Sequence, residues 1–76
     1  MKKRTLREIA REIRLNWARV NYAAEPYLQA MSSLESVSDR YYFDTGRDIV
    51  LRFLSNASSW RGESARRIKA ELRAMI

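Results

Sequence analysis

Seventy-six residues make one small domain, and a composition with no Cys and no His removes whole classes of stabilisation and chemistry. Without thiolate or imidazole there is no disulfide or zinc staple, no thiol nucleophile and no histidine general base. The net charge is +6, sorted by position: residues 1–20 hold seven bases and two acids, residues 21–57 three bases and five acids, and residues 58–76 five bases and two acids. Clustered charge, rather than its total, sets the local field, so two basic ends point to a polyanion-facing surface.

Low Gly and Pro with plentiful Ala, Leu, Arg and Glu favour helices. The predicted fold is all-α, a compact single-domain array of about four short helices over residues 1–76. No run reaches the ~18 apolar residues that span a membrane. The start Met1-Lys2-Lys3-Arg4 has the charge of a signal-peptide n-region, but Arg7, Glu8, Arg11 and Glu12 interrupt the apolar run that would have to follow. The expected location is therefore cytoplasmic, with no membrane partner.

Thr5-Leu6-Arg7-Glu8 has the capping-box pattern, in which the Thr hydroxyl and the Glu carboxylate satisfy each other's backbone N–H. Leu6, Ile9, Ala10, Ile13, Trp17 and Val20 then recur at helical spacing, predicting a first helix over residues 6–20. Pro26, tolerated in a first turn, opens a second helix over residues 26–34, with Tyr27, Met31 and Leu34 on one face. Ser36 and Asp39 stand in capping relation for a further short turn through Tyr42. The alternative is that the second helix continues to Tyr42, but Ser-rich stretches compete for backbone hydrogen bonds. Thr45 and Asp48 cap a third helix over residues 46–56, whose apolar face is Ile49, Val50, Phe53, Leu54 and Ala57. A fourth helix opens at Ser59 or Gly62 and carries Ala65, Ile68, Leu72 and Met75 on one face.

Three features are candidate sites. On the first helix Arg4, Arg7, Arg11 and Arg14 step by three and four residues, with Arg7, Arg11 and Arg14 the expected contacts, and on the fourth Arg66, Lys69 and Arg73 form a similar row. Each row is either a set of nucleic-acid phosphate contacts or a solvated face that keeps a small protein soluble. At the entry to the fourth helix, Trp60 and Arg61 form either an anion anchor beside free N–H groups or a core wedge whose Arg pairs with Asp44 or Asp48. In the middle, Tyr41 and Tyr42 within Arg40-Tyr41-Tyr42-Phe43 offer a partner-binding surface or buried packing area. Base stacking there is disfavoured by the acidic surroundings. Ser residues have no evident activating base, Asp39, Asp44 and Asp48 are placed to cap helices, and no Gly-rich phosphate loop occurs, so neither an enzyme nor a metal or other cofactor is expected.

The runs Asn21-Tyr22-Ala23-Ala24-Glu25-Pro26-Tyr27-Leu28-Gln29-Ala30-Met31, Tyr42-Phe43-Asp44-Thr45-Gly46 and Phe53-Leu54-Ser55-Asn56-Ala57-Ser58-Ser59-Trp60-Arg61-Gly62-Glu63 resemble small uncharacterised proteins of bacteriophages and other mobile elements. The resemblance covers most of the chain after residue 20. It implies a setting in which small proteins act as regulators or as inhibitors of host machinery, and it transfers no binding residues. The expected function is non-enzymatic binding of a nucleic-acid backbone, mostly non-specific, through the basic faces of the first and fourth helices. The alternative is a protein-interaction module or inhibitor of a host or phage protein that uses the Tyr-rich middle and Trp60-Arg61. A homodimer built on apolar residues left over by a thin core is a third expectation.

Overall fold

The structure is a computed structural model that describes residues 4–76, in which four helices and one small hairpin enclose a single apolar core. Helix α1, Leu6–Asn16, begins with the expected capping box: the Thr5 hydroxyl accepts from the Glu8 N–H at 3.1 Å and the Glu8 carboxylate from the Thr5 N–H at 2.8 Å. Two of its remaining N-terminal donors are satisfied across the fold, Leu6 N–H by the Glu35 carbonyl and Arg7 N–H by the Leu34 carbonyl, both at 2.9 Å.

The helix ends at Asn16, four residues before the predicted end at Val20. The Asn16 side chain bonds back to the Glu12 carbonyl at 2.9 Å, and Trp17 turns into extended backbone. That departure lets the Trp17 ring stack on Trp60, with centroids 5.4 Å apart and planes 8° from parallel, while its edge meets Phe53 at 6.2 Å. A buried aromatic pair outweighs one more helical turn.

Helix α2, Glu25–Met31, carries Pro26 in its first turn as expected but stops before residue 34. The Ser32 hydroxyl bonds to the Leu28 carbonyl at 3.0 Å, and the chain leaves through single turns that still bury Leu34.

The next segment corrects the all-α expectation. Instead of a short helical turn, residues 40–45 form an antiparallel hairpin, β1 Arg40–Tyr41 and β2 Asp44–Thr45, with Arg40 opposite Thr45 and Tyr41 opposite Asp44. Ser36 and Asp39 do interact, but only half of the capping box forms. The Asp39 carboxylate accepts from the N–H groups of Glu35 at 3.0 Å and Ser36 at 3.2 Å, whereas the Ser36 hydroxyl meets Ser38 and Asp39 side chains. These backbone donors hold the Asp39 carboxyl below its ordinary range, the Glu35 N–H contributing most. Backbone bonds from Gly46 N–H to the Asp39 carbonyl, 2.7 Å, and from Arg47 N–H to the Val37 carbonyl, 2.9 Å, then draw the chain back on itself. Gly46 is required by that approach: a Cβ there would lie 2.7 Å from the Ser36 carbonyl oxygen and 2.9 Å from the Val37 Cα.

Helix α3, Gly46–Ser55, is capped by the Thr45 hydroxyl, which accepts from the Asp48 N–H at 3.2 Å. Helix α4, Glu63–Met75, starts after Gly62, so the later of the two predicted entries holds. Gly62 sits at φ 111°, a region open in practice only to glycine. The helices pack in a ring, α1 on α2, α2 on α3, α3 on α4 and α4 on α1. The core joins Leu6, Ile9 and Ile13 of α1 to Leu28 and Met31, to Ile49 and Phe53, and to Ile68 and Leu72. No polar or charged side chain is buried among the described residues. With extents of 31 × 29 × 17 Å the domain is flattened along one axis. Among the described residues no helix is long and apolar enough to cross a membrane.

Candidate nucleic-acid interface

Whether the two basic rows act together depends on how α1 meets α4. They run antiparallel, because Arg4 at the start of α1 bonds Glu71 near the end of α4, at 2.5 and 3.0 Å, while Glu12 late in α1 bonds Arg67 early in α4 at 2.6 Å. Arg4 also reaches Glu12 at 2.5 Å, which closes a four-residue seam. The geometry stabilises the charged forms on both sides. Glu12 is held below the usual carboxylate range, by Arg67 first and Arg4 second, and Arg4 is pushed above the usual guanidinium range, chiefly by Glu71.

This seam fixes the direction of each row. Around α1, Glu12 lies on one flank of the apolar stripe and Arg7, Arg11 and Arg14 on the other. Around α4, Arg67 and Glu71 lie on one flank and Arg66, Lys69 and Arg73 on the other. Because Glu12, Arg67 and Glu71 form the contact between the helices, both rows are left on outer flanks, facing away from each other.

The rows also differ in what they meet. On α1, Arg14 forms a two-pronged pair with Glu25, 2.5 and 3.3 Å, at the start of α2, and Arg7 lies 3.9 Å from Glu35 just beyond α2. Only Arg11 in that row has no ion-pair partner among the described residues. The α1 row thus mostly ties α1 to α2, a fate that the alternation of charge along the chain did not reveal.

On α4 the acid Glu71 is turned to Arg4 on the other flank. Arg66 and Arg73 are exposed and have no ion pair among the described residues. Lys69 lies half-buried along Trp60, its Nζ 5.9 Å from the ring centroid and donating to the Trp60 carbonyl at 2.7 Å. Its ammonium is held below the usual lysine range, first by burial and then by the charges of Arg73 and Arg61. Arg61 is therefore part of the same patch. It is exposed, and it pairs with neither Asp44 nor Asp48. Glu63, the one acid of the α4 entry, lies in the first turn, where the partial positive charge of a helix start favours it.

The remaining candidates separate cleanly. Trp60 is 4% exposed and stacked on Trp17, so it is the core wedge of the two readings, with Arg61 projecting beside it. Tyr41 is half-buried, while Tyr42 at 82% and Phe43 at 96% exposure stand at the hairpin tip. Phe43, part of the cluster Arg40-Tyr41-Tyr42-Phe43 for which the sequence favours core packing with a partly exposed surface, is more exposed than either tyrosine. No group of three or more carboxylates converges into a metal-binding arrangement among the described residues. A cavity of about 390 Å³ opens beside Arg4, Thr5, Glu35, Val37 and Met75; Arg4 is turned to Glu12 and Glu71, and no polar group there is buried without a partner. No family model, no curated protein and no solved structure matches this chain.

Proposed function

We propose that this protein is a non-enzymatic binding protein that contacts the phosphate backbone of nucleic acid through the outer flank of α4 and the adjoining loop. Arg61, Arg66, Lys69 and Arg73 are the contact residues. The observation that carries this reading is that Arg61, Arg66 and Arg73 are exposed and form no ion pair among the described residues, with the half-buried Lys69 on the same flank of α4. A bound anion would neutralise them. Arg66 and Arg73 are seven residues apart, roughly 10 Å along the helix axis at ~1.5 Å per residue, which is the span of about three phosphates of one strand. The flank offers long cationic side chains whose charge is met by any phosphate, so backbone contact there tolerates sequence. The α1 row, engaged with Glu25 and Glu35, is secondary.

The test is a titration of duplex and single-stranded DNA across a salt series. Four phosphate contacts give a log–log salt slope of about −3.6 on duplex and about −2.8 on a single strand. Arg66→Gln with Arg73→Gln removes about half of that slope, and Arg7→Gln with Arg14→Gln leaves most of it. Absence of binding at low salt, or a slope carried by the α1 pair, overturns the reading.

A further inference from the structure

The face of α4 turned away from the core carries cations on both sides of its centre. Ala65, Ile68 and Leu72 are buried, and at ~3.6 residues per turn the positions opposite them are Ala70 and Ala74, both exposed. Arg66 and Arg73 flank this crest on one side and Arg67 on the other. Arg66 and Arg73 form no ion pair among the described residues. Arg67 gives one guanidinium nitrogen to Glu12, at 2.6 Å, yet its side chain stays 54% exposed. A guanidinium has donors to spare, so the bond to Glu12 aims Arg67 without using it up.

Two exposed alanines alone select no partner. Cations on both sides of them select one that presents phosphates along two walls. A single strand laid along Arg66 and Arg73 leaves Arg67 on the far side of the crest. A lipid surface is gripped by large apolar side chains, and this crest has none. We propose that the partner is B-form duplex DNA and that α4 enters its major groove. Ala70 and Ala74 then face the base edges, Arg66 and Arg73 meet phosphates of one strand, and Arg67 meets those of the other. The inference rests on the α4 reading above and adds to it the kind of nucleic acid and the way it is held.

The dimensions agree. The major groove of B-DNA is about 12 Å wide, and a helix with its side chains is about 10–12 Å across. A crest of alanines lets the helix axis come close to the groove floor, while the longer arginines on either side reach outwards to the walls. The major groove of A-form RNA is deep and narrow and does not offer this fit. Glu63 is exposed in the first turn on the same crest, so entry falls on residues 66–74. Arg61, in the loop before the helix, is left for a phosphate at the groove's edge. Alanine methyls offer the bases little beyond contact with the thymine methyl, so the sequence preference is slight.

Fluorescence anisotropy of the full chain on four short probes of one sequence tests the placement. The probes are plain duplex DNA, the same duplex with glucosylated hydroxymethylcytosine in place of cytosine, the single strand, and the RNA duplex. The glucosyl groups fill the major groove and leave every phosphate in place. At equal salt the plain duplex is expected to bind at least about tenfold more tightly than each of the other three. Arg67→Gln should lower the log–log salt slope on the plain duplex by about 0.9 and leave the single-strand slope unchanged, and Arg67→Lys should restore it. Circular dichroism checks the fold of both variants, in which Arg4 still holds Glu12. Groove entry is overturned by a glucosylated duplex, single strand or RNA duplex that binds as tightly as the plain duplex, or by a duplex slope that Arg67→Gln does not change. In each of those cases, binding that still weakens with Arg66→Gln and Arg73→Gln leaves the backbone reading standing. No binding of any probe at low salt overturns both.

Discussion

Replacing Trp60 by Ala tests the joint that turns α1 into the loop before α4. Trp60 is 4% exposed, its ring lies parallel to Trp17 at 5.4 Å, and Trp17 meets Phe53 edge-on. Truncation removes a large buried side chain from the core of a small domain. Substitutions of this kind cost about 3–5 kcal/mol. A domain of this length has a total stability of roughly 4–11 kcal/mol at ~0.05–0.15 kcal/mol per residue. Trp60→Ala therefore removes about a third or more of the total, and in the less stable half of that range it unfolds the protein. The assay is urea unfolding followed by far-ultraviolet circular dichroism, comparing midpoints at a common slope. Trp60→Leu, which keeps most of the apolar volume, provides a folded variant if Ala does not. A double-mutant cycle with Trp17→Leu isolates the ring–ring contact, with a coupling of about 0.5–1.5 kcal/mol expected for a stacked pair. A Trp60→Ala cost below about 1.5 kcal/mol, or a coupling of zero, would refute the claim that this stack is what ends α1 at Asn16.

The two glycines differ in why they are needed. Gly46→Ala drives a Cβ against backbone atoms of Ser36 and Val37, and a loss of about 1–3 kcal/mol is expected in the same urea assay. Gly62→Ala meets no atom within 4 Å, so its cost, also about 1–3 kcal/mol, comes from the φ of 111° alone. At position 42 the usual order reverses: Tyr42→Gly should be more stable than Tyr42→Ala by about 1 kcal/mol, because Ala keeps the positive φ and Gly relieves it. Glu12 and Asp39 both have folded-state affinities for protons below their unfolded ones. Their contribution is present above the unfolded carboxylate range and is lost as pH falls through the folded values, so Glu12→Gln and Asp39→Asn should flatten the acid side of a stability–pH curve. Lys69 runs the other way: its folded affinity for protons is lowered, so stability gains a small increment as pH rises towards the ordinary lysine range. Bound phosphate should reverse that depression, seen as an upward move of the Lys69 titration by NMR.

Residue pattern determined much of this protein before any contact was visible. The helical repeat of Leu6, Ile9, Ala10 and Ile13, the caps at Thr5 and Thr45, and the faces of α3 and α4 depend on neighbours three and four residues away, and local periodicity records such neighbours. Helix ends were less legible. Trp17 leaves α1 for a ring more than forty residues on, and no local signal encodes that preference. The hairpin was hidden because its turn uses Tyr at a positive φ where Gly or Asn is the usual sign, and because Asp39 spends its carboxylate on the backbone behind it. The candidate interface divided in the same way. Arg7, Arg11 and Arg14, and Arg66, Lys69 and Arg73, were readable as rows, since spacing along a helix fixes which side chains share a flank. That the rows face apart, that Glu25 and Glu35 engage the first, and that Arg61 joins the second were decided by tertiary structure alone. The physical reason is range: helix periodicity is set within one or two turns, whereas the neutralisation of a charge depends on whichever acid the packed chain brings within a few ångströms.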